Sequence, residues 1–219
     1  MQITDNLKND ISNAPSWFHD AINIKPSEKI LEDAKGNLSY SVWPSLYENK
    51  NLMIFIHGTG AHKKWWYPIA PQFVNYSNVI AVDLPGMGDS GFREKYSIKD
   101  FGQCIISIIE KEKSNMNIDN ISIIGHSLGG QVPGYVASEE KNLVSNLIMI
   151  DTFIRPPDWD PSQNEGGPLR MIKYYPDKTT ILNRFRLLPQ QECDNEWFVR
   201  YISEHSVRKT SEGWRWKFD

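Results

Sequence analysis

Three short apolar runs, each broken off by a glycine-bearing turn, constrain this chain more than any other feature. Leu52–Ile56 runs into His57-Gly58-Thr59-Gly60, Asn78–Val82 into Asp83-Leu84-Pro85-Gly86, and Ile121–Ile124 into Gly125-His126-Ser127-Leu128-Gly129-Gly130. Hydrophobicity within each run is continuous rather than alternating, which suits strands covered on both faces, as in a parallel sheet. A fourth run, Leu147–Ile150, ends at Asp151. Helical patterns fill the gaps. Trp65–Tyr76 reads as one helix, and Ile98, Phe101, Ile105, Ile108 and Ile109 recur at helical spacing after Ser97, which with Asp100 makes a capping-box-like start. A short helix follows Ser127. Strand and helix alternating in this way predict a parallel α/β sheet.

The flanks read differently. Lys29–Glu32 and Leu38–Trp43 lie on either side of Gly36 and predict a hairpin. Residues 1–28 form an arm, with Pro15 and Pro26 as breakers and an apolar cluster at Trp17, Phe18, Ala21 and Ile22 that packs on the domain. Beyond Asp151 the texture changes: Pro156-Pro157 and Asp160–Pro168 are loop-like, and helical patterns follow around Thr179–Leu188 and Glu196–His205. Residues 152–219 hold 11 of the 26 aromatics, and no strand is expected to alternate with their helices. The expected organisation is an arm (1–28), a sheet-bearing core (29–151) and a helical cap or lid (152–219).

Composition removes several classes of function. The longest apolar run is five residues, far short of the roughly 18–20 that a membrane span needs. The opening MQITDNLKND holds no apolar segment of the signal-peptide kind, and two cysteines, Cys104 and Cys193, make no disulfide framework. A cytoplasmic protein is expected. Residues 1–151 carry 13 basic and 17 acidic groups and residues 152–219 carry 11 and 10, so no basic stripe awaits a phosphate backbone. Nucleic acid is not an expected partner. The glycines at 86, 88 and 91 match neither phosphate-cradling motif, and neither cofactor nor metal is expected.

Gly125-His126-Ser127-Leu128-Gly129 has the G-x-S-x-G form of a nucleophile elbow. The chemistry needs a serine standing clear of the backbone on a tight turn between strand and helix, with small neighbours where the two elements approach. The turn at His57–Gly60 is placed to aim a backbone N–H at the point that Ser127 attacks, and the N–H of Leu128 is a second such donor. Two donors of this kind stabilise a developing oxyanion by a few kcal/mol.

H-G-x-G after one strand, D-x-P-G-x-G-x-S after the next and G-H-S-L-G-G after the third resemble the α/β-hydrolase family over roughly residues 29–151. The resemblance implies a mostly parallel, doubly wound sheet of eight strands with a helical cap. It also implies a Ser-acid-His triad and the cleavage of esters or related acyl compounds. Carried over by position, Ser127 is the nucleophile, Thr59 and Leu128 supply the oxyanion N–H groups, and Gly58, Trp66 and His126 border a small-molecule substrate. Serine at the elbow argues against the family members that open epoxides or remove halide, which carry aspartate there.

The triad order in this fold is serine, acid, histidine. His19, His57, His62 and His126 all precede Ser127, and His205 falls inside a helical pattern where it reads as a helix-end residue. Asp151 is the candidate acid, its alternative being a loop residue that bonds local N–H groups. The expectation is a chain that stops early, with the C-terminal strands, the acid and the histidine beyond residue 219. Leu147–Ile150 then becomes an apolar sheet edge that a second chain could cover. The competing expectation is a non-catalytic domain of the same fold that binds a small apolar ligand or a partner protein.

Overall fold

The computed structural model describes residues 11–154, 172–187 and 190–219. Pro156-Pro157, Trp159 and the Asp160–Pro168 stretch therefore lie outside the described residues. After helix α1 (Ser16–Asn23), strands β1 (Ser27–Leu31), β2 (Leu38–Trp43), β3 (Asn51–Ile56), β4 (Asn78–Val82), β5 (Asn120–His126) and β6 (Asn146–Ile150) build one sheet. Helices α2 (Ile98–Lys113) and α3 (Leu128–Glu139) fall between its later strands. Helices α4 (Lys178–Leu182) and α5 (Glu196–His205) and a hairpin of β7 (Val207–Thr210) and β8 (Gly213–Trp216) complete the order.

The sheet order is β1-β2-β4-β3-β5-β6. The first two strands are the expected hairpin, and β2 runs antiparallel to β4. The other pairings are parallel, and their register places Ile56 beside both Val82 and Gly125. Three glycine turns therefore leave the sheet at one end.

Continuous apolar runs are explained by burial on both faces. Leu52, Ile54 and Ile56 face one side, where Phe101, Ile105, Ile108 and Ile109 of α2 and Val132 and Val136 of α3 cover them. Phe55 faces the other, where Phe18 of α1, Tyr67, Tyr201 and Ile202 of α5 gather. This is the two-sided covering of a doubly wound sheet. Ser97 caps α2 as its spacing with Asp100 predicts, accepting the Asp100 N–H at 3.0 Å.

Three expectations change. Trp65–Tyr76 is not one helix but two 3-10 turns, Lys63–Trp65 and Ala70–Phe73. Pro68 and Pro71 lack the N–H that a continuous helix would use. The Thr179–Leu188 pattern yields a helix of only five residues, Lys178–Leu182. The 152–219 segment is not purely helical, because β7 and β8 pair antiparallel through a turn in which Gly213 has φ 128°. Among the described residues β6 pairs with β5 alone, and Leu147, Ile148 and Ile150 are exposed.

Candidate active site

The elbow is a matter of backbone clearance. Ser127 joins β5 to α3 with φ 53° and ψ −121°, a left-handed conformation that costs a non-glycine residue of order 1–3 kcal/mol and persists only when its surroundings enforce it. They do so through hydrogen bonds. The Ser127 N–H donates to the Ile150 carbonyl at 2.9 Å, and the Ser127 carbonyl accepts from Gly130 N–H at 2.9 Å and from Thr152 Oγ1 at 3.2 Å. The flanking glycines are there because strand and helix nearly touch. A Cβ on Gly125 would stand 2.1 Å from the Gly129 carbonyl oxygen, and one on Gly129 would stand 2.3 Å from the His57 carbonyl oxygen.

The β3 turn lies against this elbow. A Cβ on Gly58 would be 3.1 Å from both Ser127 Cβ and His126 Nδ1. The Thr59 N–H has no hydrogen-bond partner among the described residues, and the N–H of Leu128, first in α3, is one of the orphan donors of a helix start. Ser127 is half-buried and its hydroxyl hydrogen-bonds no described residue.

A cavity of about 1000 Å³ opens in front of Ser127, lined at one end by Gly58, Thr59, His126, Ser127 and Leu128. Residues 184–187, Trp216 and Phe218 also line it, Phe218 lying 3.8 Å from the place a Cβ on Gly60 would take. It thus lies between the carboxyl ends of the strands and the 152–219 segment, where ligands of open α/β sheets bind. Trp65 lines it, whereas Trp66 lies outside the lining and packs on Phe55 with ring centroids 5.1 Å apart. Trp197 and Phe198 also face elsewhere, joining Phe18. Asp151 is exposed, with φ 47°, and is not in the lining.

Three of the five histidines are tied up in hydrogen bonds away from Ser127. His57 is buried; its Nε2 accepts the Leu84 N–H at 3.1 Å, so its Nδ1–H donates to the Gly58 carbonyl at 2.8 Å. Burial pushes its pKa down to about 4. His62 lies 3.0 Å from Ser206 Oγ and is pushed well down by burial, and His205 Nδ1 bonds the Tyr201 carbonyl at 2.8 Å. None hydrogen-bonds Ser127.

A charged cluster, buried at Asp83 and Lys63 and exposed at Glu28, ties the β3 and β4 turns together, and local sequence pattern did not reveal it. Asp83 accepts the Lys63 N–H at 2.6 Å and the Asp89 N–H at 2.8 Å. The buried Lys63 ammonium reaches Ser39 Oγ at 2.6 Å and Glu28 at 2.9 Å. Burial pushes Asp83 up to about 6, against the pull of Lys63. His57 Nε2 is 3.9 Å from Asp83, a contact between a neutral imidazole and a carboxyl rather than an ion pair.

These shifts act on stability in opposite senses. Native Asp83 keeps a proton that the unfolded chain releases between about 4 and 6, so its contribution weakens as pH rises through that window. Native His57 lacks a proton that the unfolded chain binds between about 4 and 6.5, so its contribution strengthens with pH. Each is worth roughly 3 kcal/mol and the two nearly cancel. His62, shifted in the same sense as His57, tips the balance toward loss of stability in acid. Asp83→Asn removes the offset, so its urea midpoint should fall more steeply between pH 7 and 5 than that of the wild type. A flatter profile would contradict this account.

A model of the α/β hydrolase fold matches residues 51–188, more than half the chain. The chain belongs to the α/β-hydrolase family. The pimeloyl-[acyl-carrier protein] methyl ester esterase of Pseudoalteromonas atlantica is 30% identical over 128 residues, covering 55% of this chain and 46% of that one. The (E)-2-((N-methylformamido)methylene)succinate hydrolase of Acinetobacter baylyi is 27% identical over 100 residues, covering 45% and 36%. The chain thus spans less than half the length of these curated relatives. Among solved structures, a thioesterase domain from the curacin biosynthetic pathway superposes with TM-score 0.69 at 22% identity, over 89% of this chain and 72% of that one. That likeness concerns the α/β-hydrolase fold alone.

Proposed function

We propose that this α/β-hydrolase chain carries the nucleophile and oxyanion hole of a serine hydrolase acting on a small or medium ester or similar acyl compound. The observation that carries the reading is Ser127, held at φ 53° between β5 and α3 and lining a cavity of about 1000 Å³, its hydroxyl bonded to no described residue. In this reading Ser127 Oγ attacks the acyl carbonyl. The carbonyl oxygen moves between the N–H groups of Thr59 and Leu128, which gain strength as negative charge develops. The hydrolase relatives support the reaction class, and the esterase name among them supports an acyl substrate.

No described imidazole reaches the serine to take its proton, and an unassisted hydroxyl is a weak nucleophile at neutral pH. Turnover by these residues alone is therefore slow. The same observation favours the competing reading, a non-catalytic domain that binds a small ligand or a partner. A fluorophosphonate separates the two. Mass spectrometry after prolonged exposure should find one adduct, on Ser127, absent from Ser127→Ala. A chain left unmodified at Ser127 would favour the binding domain.

A further inference from the structure

We infer that the ligand of the Ser127 cavity is an acyl ester whose far end is a carboxylate, held by Arg184 and Arg186. The inference rests on the serine-hydrolase reading for which end of the ligand reacts. The cavity has room for much more than a reacting carbonyl, and Met87, Phe101, Phe185, Trp216 and Phe218 give it apolar walls suited to a carbon chain. Among the described residues its charged lining is unbalanced, with Arg184 and Arg186 against Asp219. Asp219, the acidic member, already accepts the Tyr96 hydroxyl at 2.7 Å.

The two arginines follow α4 in one turn of chain. Arg186 Nη1 donates to the carbonyls of Asn183 at 3.0 Å and Phe185 at 2.6 Å. That fixes the side chain and leaves its Nε and Nη2 without partners among the described residues. Arg184 has neither ion pair nor hydrogen bond among the described residues. Arg184 is exposed and Arg186 half-buried, and both line a largely apolar cavity with guanidinium donors left over for an anion. A planar carboxylate matches the guanidinium fork through paired, charge-assisted hydrogen bonds. A neutral ester of the same length gains nothing from those donors.

The test is equilibrium binding to the full chain, read from the fluorescence of Trp65 and Trp216 in the cavity wall. Monomethyl suberate is the anionic probe and dimethyl suberate its uncharged counterpart. The expected result is about tenfold tighter binding of the monoester at low salt, with the ratio shrinking as salt screens the pair. In Arg184→Gln/Arg186→Gln the ratio of the two affinities should fall to near one, and in the Lys/Lys pair it should be partly kept. Equal affinities in the wild type, a ratio that survives the double variant, or no binding of either probe would overturn the inference. The fluorophosphonate adduct is scored separately. A preference for the monoester without an adduct removes the serine-hydrolase reading and keeps the anion site, and an adduct without the preference does the reverse.

Discussion

Gly129→Ala is expected to cost more than about 3 kcal/mol, although alanine in place of glycine within a helix normally stabilises by up to about 1 kcal/mol. The reversal comes from distance. The added methyl would lie 2.3 Å from the His57 carbonyl oxygen and 2.8 Å from that of Ile56, and both are backbone atoms that can yield only if α3 moves off the end of β3. Gly134 in the same helix is the control. It is exposed, nothing lies within 4 Å of the place its Cβ would take, and Gly134→Ala should stabilise by about 0.5–1 kcal/mol. Urea unfolding of both variants checks the contrast. Similar effects at the two positions would mean that strand and helix are not pressed together at the elbow.

Phe18→Ala should cost about 3–5 kcal/mol. Phe18 is fully buried, and Trp197, Tyr201 and Phe198 of α5 surround it at centroid distances of 4.6, 5.4 and 6.2 Å. Truncation leaves a cavity among rigid rings that cannot collapse to fill it. Because α1 precedes the sheet and α5 follows it, this one side chain joins both ends of the chain to the same face. A loss below about 1 kcal/mol in chemical denaturation would show that α1 is not part of the cooperative unit.

Buried strands were legible because burial on both faces writes itself into the local sequence. The runs at Leu52–Ile56 and Ile121–Ile124 lie within β3 and β5, and Asn78–Val82 is β4 itself. The α2 start was legible for a similar reason, since Ser97 needs only a residue three places on. The β7–β8 hairpin was not seen, although Gly213 and the alternation of Trp214 and Trp216 with charged residues carry a signal for it. The Trp65–Tyr76 pattern misled in the opposite way, its apolar residues keeping helical spacing across two prolines that the backbone cannot accommodate in one helix.

At the site, the elbow and the glycine turn were legible because their constraint is local: a serine that must project, and neighbours that must be small. The lining that comes from the 152–219 segment was not. Arg184, Arg186 and Phe218 reach the cavity through tertiary folding, and no spacing rule connects them with Ser127. The Glu28–Lys63–Asp83 cluster escaped for the same reason. A buried lysine looks like a surface lysine until partners 20 and 35 residues away are brought to it.

The most direct test of the central claim, that Ser127 sits in a formed elbow and oxyanion hole and lacks only a base among the described residues, is chemical rescue with imidazole. Ester hydrolysis by the 219-residue chain is measured with and without added imidazole, alongside Ser127→Ala to subtract hydrolysis by imidazole itself. The account predicts weak turnover without the additive, no more than about 10³–10⁴ over the reaction in water. It predicts further that added imidazole accelerates turnover in the wild type and not in the variant. Fast hydrolysis without imidazole, or rescue of equal size in Ser127→Ala, would contradict it.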